Sequence, residues 1–344
     1  MHFYIVDAKG LSQRQYERVQ NELYSSLSAF RVSGEVVRIT GARPVPQLVE
    51  QAILRGASEI TAVGTESTFN ELIAASAGKD AVLGFIPIAE CELGNALGIR
   101  NIENGAKTIA SRRVEELDLA TVNGNLFFSR IGFGVLKQSG GVFGSLRNLF
   151  NLPSFEIKFS ADGKYAATAH AVGGMIVNIR DNTGTESKVG NPTDGMLDIL
   201  LLPKLTNLQI LKYRNDILSG FYENVPGASL VHANKMEIAT PANLPLMAGE
   251  RIIAKTPAII ELIPKAIKVM WAGIESFKKN AFYTKKKHQP NIGVLSLEQV
   301  GGIEPPPRPW QGRVLPLNHT CLFSGASGQN RTDYASLFRA ALYQ

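Results

Sequence analysis

The sequence predicts an α/β domain on a parallel sheet, followed by a mostly antiparallel β domain packed as a sandwich. Three observations carry this. Residues 1–120 alternate short apolar runs with segments of helical spacing, the pattern of repeated βα units. From about residue 121 helical spacing gives way to strand alternation and Gly-containing turns. Beyond Trp271 sustained periodicity fades. The predicted parts are 1–120, 121–272 and 273–344, the last a basic linker and a disordered tail.

The elements follow in order. "HFYIVDA" is an apolar strand, and "SQRQYERVQNELYSSLSAF" places Tyr16, Val19, Leu23 and Leu27 on one helical face. "EVVRIT" is a strand, and "VPQLVEQAILRG" is a helix closed by Gly56. "EITAVG" runs through Gly64 into a helix, for which Thr68-x-x-Glu71 matches a capping box. "AVLGFIPI" is a continuous apolar run, as in buried parallel strands, and residues 104–119 are expected to be helical. In the second part Phe155, Ile157 and Phe159 alternate on one face, and Asp162-Gly163 marks a hairpin turn. "DGMLDILLL", "ASLVHANKMEIAT" and "GERIIAKTPAIIELIPKAIKVMW" continue the strands, with one helical patch near 205–220.

Composition narrows the classes. The chain has 344 residues, 44% hydrophobic and 19% charged, which is globular rather than fibrous or disordered. A net charge of +6 favours anionic partners in general, a membrane surface, nucleic acid or phosphorylated ligands among them. Two cysteines, Cys91 and Cys321, provide neither a disulfide framework nor a cysteine-based metal site. No apolar stretch approaches the roughly 20 residues of a membrane-spanning helix, and "MHFYIVDAKG" lacks the regions of a signal peptide. A cytoplasmic location follows as the expectation.

Several stretches carry two readings. The basic, aromatic-bearing "FKKNAFYTKKKHQP" suits either a solvated tail or an anionic surface. "GSLRNLFNLPSF" suits packing under the second domain or contact with a lipid interface. His170 and His232 lack acidic or Cys neighbours at metal spacing and are read as surface or pocket-lining residues. Residues 301–344, with "GIEP" and "QNRT", are read as read-through of non-coding sequence or as a disordered extension, without function either way.

The turn after "EITAVG" and the loop after "AVLGFIPI" both leave strands at the carboxyl edge, where open α/β sheets hold ligands. With the later domain, they give a specific likeness. The chain resembles the diacylglycerol kinase catalytic-domain family, bacterial lipid kinases related to sphingosine kinases. The family's Gly-Gly-Asp-Gly-Thr turn and Leu-Asn-Glu correspond to Gly64, Thr65, Glu66, Ser67, Thr68, then Phe69, Asn70 and Glu71. Its Pro-x-Gly-Thr-x-Asn corresponds to Pro87, Ile88, Ala89, Glu90, Cys91 and Glu92, followed by Ala96-Leu97-Gly98-Ile99. Its Asp-Gly-x-Leu-Asp corresponds to Asp194, Gly195, Met196, Leu197 and Asp198, and its Asp-Gly-Glu to Ala248, Gly249 and Glu250. The likeness spans roughly residues 1–272.

The resemblance implies a Rossmann-like N-terminal domain that binds ATP and a β-rich domain that forms the lipid-facing wall. It implies ATP with Mg2+ as cofactors, transfer of the γ-phosphoryl group to a lipid hydroxyl, and a lipid or anionic membrane partner with no specific nucleic acid. By the same correspondence Gly64, Thr65, Glu66, Ser67, Thr68, Asn70, Pro87, Ala89 and Glu90 would face the nucleotide. Asp194 and Asp198 would hold magnesium, or else serve only as a turn residue and a strand-end residue. Thr65 and Ser67 replace glycines, adding β-carbons where backbone would approach phosphate. Glu90 and Glu92 replace Thr and Asn. A carboxylate ~4 Å from a phosphate oxygen repels it by roughly 1–4 kcal/mol. The alternative for both acids is service to the local helix dipole. Ala248 stands where the family has its expected general base, and loss of a positioned base forfeits ~10²–10⁴ in rate. Glu250 is the nearby carboxylate that could substitute. The expectation is a divergent lipid kinase of weak or lost activity, the alternative a non-catalytic lipid-binding or regulatory module.

Overall fold

The computed structural model describes residues 1–134, 153–182, 187, 189–249, 251–272 and 297–299. The expected βα series is present: β1 (His2–Val6), α1 (Gln13–Ala29), β2 (Glu35–Arg38), α2 (Val45–Leu54), β3 (Glu59–Gly64), α3 (Glu66–Ser76) and β4 (Val82–Pro87). These strands pair in parallel in the order β2-β1-β3-β4. Two short helices follow, α4 (Glu92–Ala96) and α5 (Ile102–Ser111). The sheet is apolar on both faces. Phe3, Ile5, Ile60 and Phe85 pack with Leu48 and Leu72 of α2 and α3, and Tyr4, Val6 and Ile86 pack with Leu23 and Ile109 of α1 and α5. Gly84 lies between strands where a Cβ would come within 2.3 Å of Thr61 Oγ1, so close packing requires the glycine.

Two local expectations need correction. The helix after Gly64 starts one turn earlier than Thr68: Thr65 is its N-cap, and Thr65 and Thr68 form the capping box. The helix expected over 104–119 stops at Ser111, where Arg112 turns left-handed at φ 50°, and Val114–Val122 is strand β5. The Val-Glu-Glu-Leu-Asp-Leu stretch has helix-forming residues, but its cross-strand partners decide. Val114, Glu115, Glu116 and Leu117 pair with Met270, Val269, Lys268 and Ile267.

The β-rich part contains β6 (Asn125–Phe127), β7 (Arg130–Phe133), β8 (Phe155–Ala161), β9 (Tyr165–Ala171), β10 (Gly173–Val177) and β11 (Leu197–Leu202). Helices α6 (Asn207–Lys212) and α7 (Arg214–Ser219) make the expected helical patch. Then come β12 (Ser229–Ala233), β13 (Lys235–Thr240), β14 (Pro245–Ala248), β15 (Arg251–Lys255) and β16 (Ala258–Met270). Asp162 and Gly163 both take positive φ at the β8–β9 hairpin, as anticipated. Strands β12-β11-β10-β7-β14-β15 form a six-stranded antiparallel sheet. Its inner face (Ile131, Phe133, Ile176, Leu197, Ile199) packs on Ile157, Phe159, Met236 and Ile260 of the other sheet, which makes the sandwich. Its outer face (Met175, Val177, Leu200, Leu202) is covered by Ile210 and Ile217 of the helical patch.

The two parts share one sheet. β16 pairs in parallel with β4 and antiparallel with β5 and β13, so one eleven-stranded sheet runs through both. β5 itself crosses the expected boundary at residue 120. Of 273–344 only Leu297–Gln299 is described, as β17 pairing with β9; the basic stretch 277–290, the rest of the tail and residues 144–152 lie outside the described residues.

Candidate functional site

The carboxyl edge of β3 and β4 meets β7 of the second sheet, and side chains from both parts fill the meeting place. Gly64 is tight for a local reason: a Cβ there would meet Thr68 Oγ1 at 2.8 Å and Asp7 Cβ at 2.9 Å. Thr65 N–H donates to Thr68 Oγ1 at 3.2 Å, and Thr68 Oγ1 donates to Asp7 at 2.7 Å. Part of the backbone expected to face an anion is therefore engaged by the turn's own hydroxyls. Thr65 and Ser67 are exposed, Glu66 and Asn70 half-buried.

Glu66, in the first turn of α3, accepts a hydrogen bond from Ser129 Oγ just before β7. The next residue, Arg130, reaches back to Glu92 in the first turn of α4 at 2.5 Å. Its other nitrogen donates to Ser219 O at 3.3 Å. Burial pushes the Glu92 carboxyl up; Arg130 opposes this, and the like charge of Glu66 adds to it. Burial also raises the Cys91 thiol, and Glu66 and Glu92 add to that. Pro87 is buried at the end of β4, Ala89 is exposed, and exposed Glu90 takes a hydrogen bond from Asn95 Nδ2 at 3.3 Å. Glu92 stands in the first turn of its helix, as the dipole reading expected, whereas Glu90, read the same way, precedes the Cys91 N-cap; Glu66, for which that reading was not made, also stands in a first turn.

Arg180 lies behind this contact and is 1% exposed. It forks onto Glu223, donates to Gly220 O and Ser187 Oγ at 2.9 Å each, and lies over the Phe221 ring at 4.4 Å. Ala248, half-buried at the end of β14, is near the same meeting place: Met247 pairs with Gly132, so the strand continues toward Arg130. Glu250 lies outside the described residues.

Asp198 and Asp194 stand apart. Arg130, Val177, Asp198 and His232 lie in one row across β7, β10, β11 and β12, which puts Asp198 roughly 10 Å from Arg130 along the sheet. Buried Asp198 accepts from Gly190 N–H and pairs with His232 Nδ1 at 2.5 Å. His232 is exposed, as expected of a surface or pocket-lining residue, and cross-strand pairing gives it an acidic neighbour that sequence spacing hides. The bond to Asp198 raises the His232 pKa, against desolvation. Asp194 accepts from Met196 N–H at 3.0 Å, and Asp118 accepts from Gly195 and Lys265 N–H at 2.8 Å each. Although Asp194 has exposed surface, partial desolvation of its carboxyl, then the charge of Asp198, lifts its pKa to about 6. Among the described residues no group of three or more His, Cys, Asp or Glu side chains could hold a metal ion. Among the described residues Glu66, Glu92 and Asp198 already have protein partners, so a magnesium ion would compete with Ser129, Arg130 or His232 for them.

Ser129, Arg130, Arg180 and Glu223 were missed by sequence reasoning. The available signal was a lone arginine in each of two apolar stretches, "FFSRIGF" and "MIVNIRD".

Fold and site together define a class, an open α/β sheet continued into an antiparallel sandwich, with Ser129 and Arg130 of the one meeting Glu66 and Glu92 of the other. Residues 142–271 match the YegS C-terminal NAD kinase beta sandwich-like domain. The fold is shared with a diacylglycerol kinase from Bacillus anthracis str. Sterne at TM-score 0.65 and 20% identity, covering 80% of this chain and 97% of that one. A crystal structure of a candidate diacylglycerol kinase from the same organism gives TM-score 0.65 and 20% identity, covering 79% of this chain and 96% of that one. No curated protein matches the chain. Among the described residues no helix is long and apolar enough to cross a membrane.

Proposed function

We propose that this chain is a divergent protein of the diacylglycerol kinase fold whose ATP-dependent phosphorylation of a lipid hydroxyl is weak or lost. The observation that carries the reading is the junction where Glu66 is held by Ser129 and Glu92 by Arg130, the place to which the resemblance would bring nucleotide phosphates. Glu66 stands where the resembled family has Asp, so the departure is Glu92: an entering triphosphate would meet that carboxylate at a cost of roughly 1–4 kcal/mol at ~4 Å and would compete with it for Arg130. Ala248 adds a second deficit, since a methyl group accepts no proton from a hydroxyl.

The test is calorimetric titration of the full chain with ATP and Mg2+, beside radiolabel transfer from ATP to diacylglycerol. The expected result is weak or absent nucleotide binding and no transfer above background. Ala248→Asp combined with Glu92→Asn should raise both. Tight nucleotide binding with lipid turnover by the unaltered chain would overturn the reading.

A further inference from the structure

The turn that enters β11 meets three aspartates. Asp118 of β5 and Asp198 of β11 are 1% and 3% exposed, and Asp194 lies in the turn itself. Carboxylates gathered under a turn are ordinarily neutralised by a divalent cation or by hydrogen-bond donors. Here the donors come from the protein. Asp118 accepts from the Lys265 N–H with one oxygen and from the Gly195 N–H with the other, and its own N–H donates to Pro192 O at 2.7 Å. Asp198 accepts from the Gly190 N–H with one oxygen and pairs with His232 Nδ1 through the other. Gly190 can approach so closely because it takes φ 82°, and a Cβ there would come within 2.8 Å of Arg180 N. Asp194 accepts from the Met196 N–H with one oxygen. Both oxygens of Asp118, both of Asp198 and one of Asp194 are therefore engaged, whereas a magnesium ion demands near-ideal octahedral oxygen geometry.

We propose that His232 stands in for the divalent ion that the resemblance puts at Asp194 and Asp198, so that the turn into β11 is held by an imidazole and takes no magnesium. Strand register makes this possible, because Asp198 and His232 are directly opposed on β11 and β12. The His232 side chain is 44% exposed and that of Asp198 4%, so the imidazole closes over the buried carboxylate from the solvent side, the direction from which a hydrated ion would come. The inference concerns this turn alone and stands whether or not the nucleotide junction turns over ATP.

Thermal melting of the full chain, stripped of metal with EDTA and free of nucleotide and lipid, tests this against added MgCl2 and CaCl2 at constant ionic strength. The unaltered chain should melt at the same temperature with and without either salt. His232→Ala should melt lower and should then gain a saturable rise with Mg2+ or Ca2+, which adding Asp198→Asn abolishes. Free imidazole should restore the melting temperature of His232→Ala in the absence of metal. Should the alanine variant fail to fold, His232→Gln is expected to show the same cation response. A saturable Mg2+ rise in the unaltered chain that Asp198→Asn removes would overturn the proposal. So would a folded His232→Ala chain that responds to neither cation nor imidazole.

Discussion

Arg180 offers the clearest magnitude. Replacing it with methionine keeps bulk but removes the guanidinium that holds both Glu223 oxygens, the Gly220 carbonyl and the Ser187 hydroxyl. Breaking a buried pair by removing one partner costs about 3–5 kcal/mol, because the other charge is left desolvated. Glu223 keeps 16% of its side chain exposed and can draw some water, so the lower end, about 3 kcal/mol, is expected. With a urea m-value near 3 kcal/mol/M, the midpoint should fall by about 1 M. Arg180→Met with Glu223→Leu removes both charges and should recover most of that loss. The assay is urea unfolding of the four proteins of this cycle, followed by far-UV circular dichroism. A single-variant cost below about 1 kcal/mol, or a double variant as unstable as the sum, would refute the claim that this pair is desolvated and mutually dependent.

Three further outcomes follow from particular contacts. Gly84→Ala places a Cβ against Thr61 Oγ1 and should cost about 1–3 kcal/mol in urea unfolding; adding Thr61→Ala should recover part of it, since that hydroxyl is buried without a hydrogen-bond partner. His232 has a raised folded-state pKa, so its contribution is full below the unfolded value near 6.5 and is lost as pH rises through the folded value. Asp194, raised to about 6, adds a loss of the same sign between pH ~4 and ~6. Melting temperature should therefore decline across these windows, and His232→Gln and Asp194→Asn should flatten the upper and lower ranges respectively. The two parts of the chain should unfold together, because β16 pairs with β4 of the first and β13 of the second; non-coincident circular dichroism and tryptophan transitions would contradict this.

The fold was largely legible because its strands carry their signals locally. The apolar runs of β1, β3 and β4 and the alternation of Phe155, Ile157 and Phe159 need no partner to be recognised. Residues 114–119 show the limit, since their strand state comes from β16, about 150 residues later. Glu92 was visible as a departure from the Asn of the resembled family, and Glu66 as an acid kept in its turn, but the partners of both were not visible. Ser129 and Arg130 approach Glu66 and Glu92 only through tertiary packing across 63 and 38 positions, and no local period encodes such a contact. The same holds for the His232–Asp198 pair, which register alone creates.

The shared strand changes what opening the cleft would require. Two domains on a flexible linker can rotate apart without disturbing either core. Here Ile267, Val269 and Trp271 of β16 and its end are buried with Leu83, Phe85 and Leu97 of the first part, and Trp271 Nε1 donates to Ala96 O. Phe128, just before Ser129, is in the same core and meets the Phe69 ring edge-on. Ser129 and Arg130 are therefore carried by a strand entry anchored in the N-terminal core, and a rigid separation of the parts would expose that core. Access to the cleft must come instead from side-chain exchange, with Arg130 leaving Glu92 for an anion or Glu66 leaving Ser129. That exchange is local and electrostatic, and so it depends on which charges a ligand brings rather than on hinge motion.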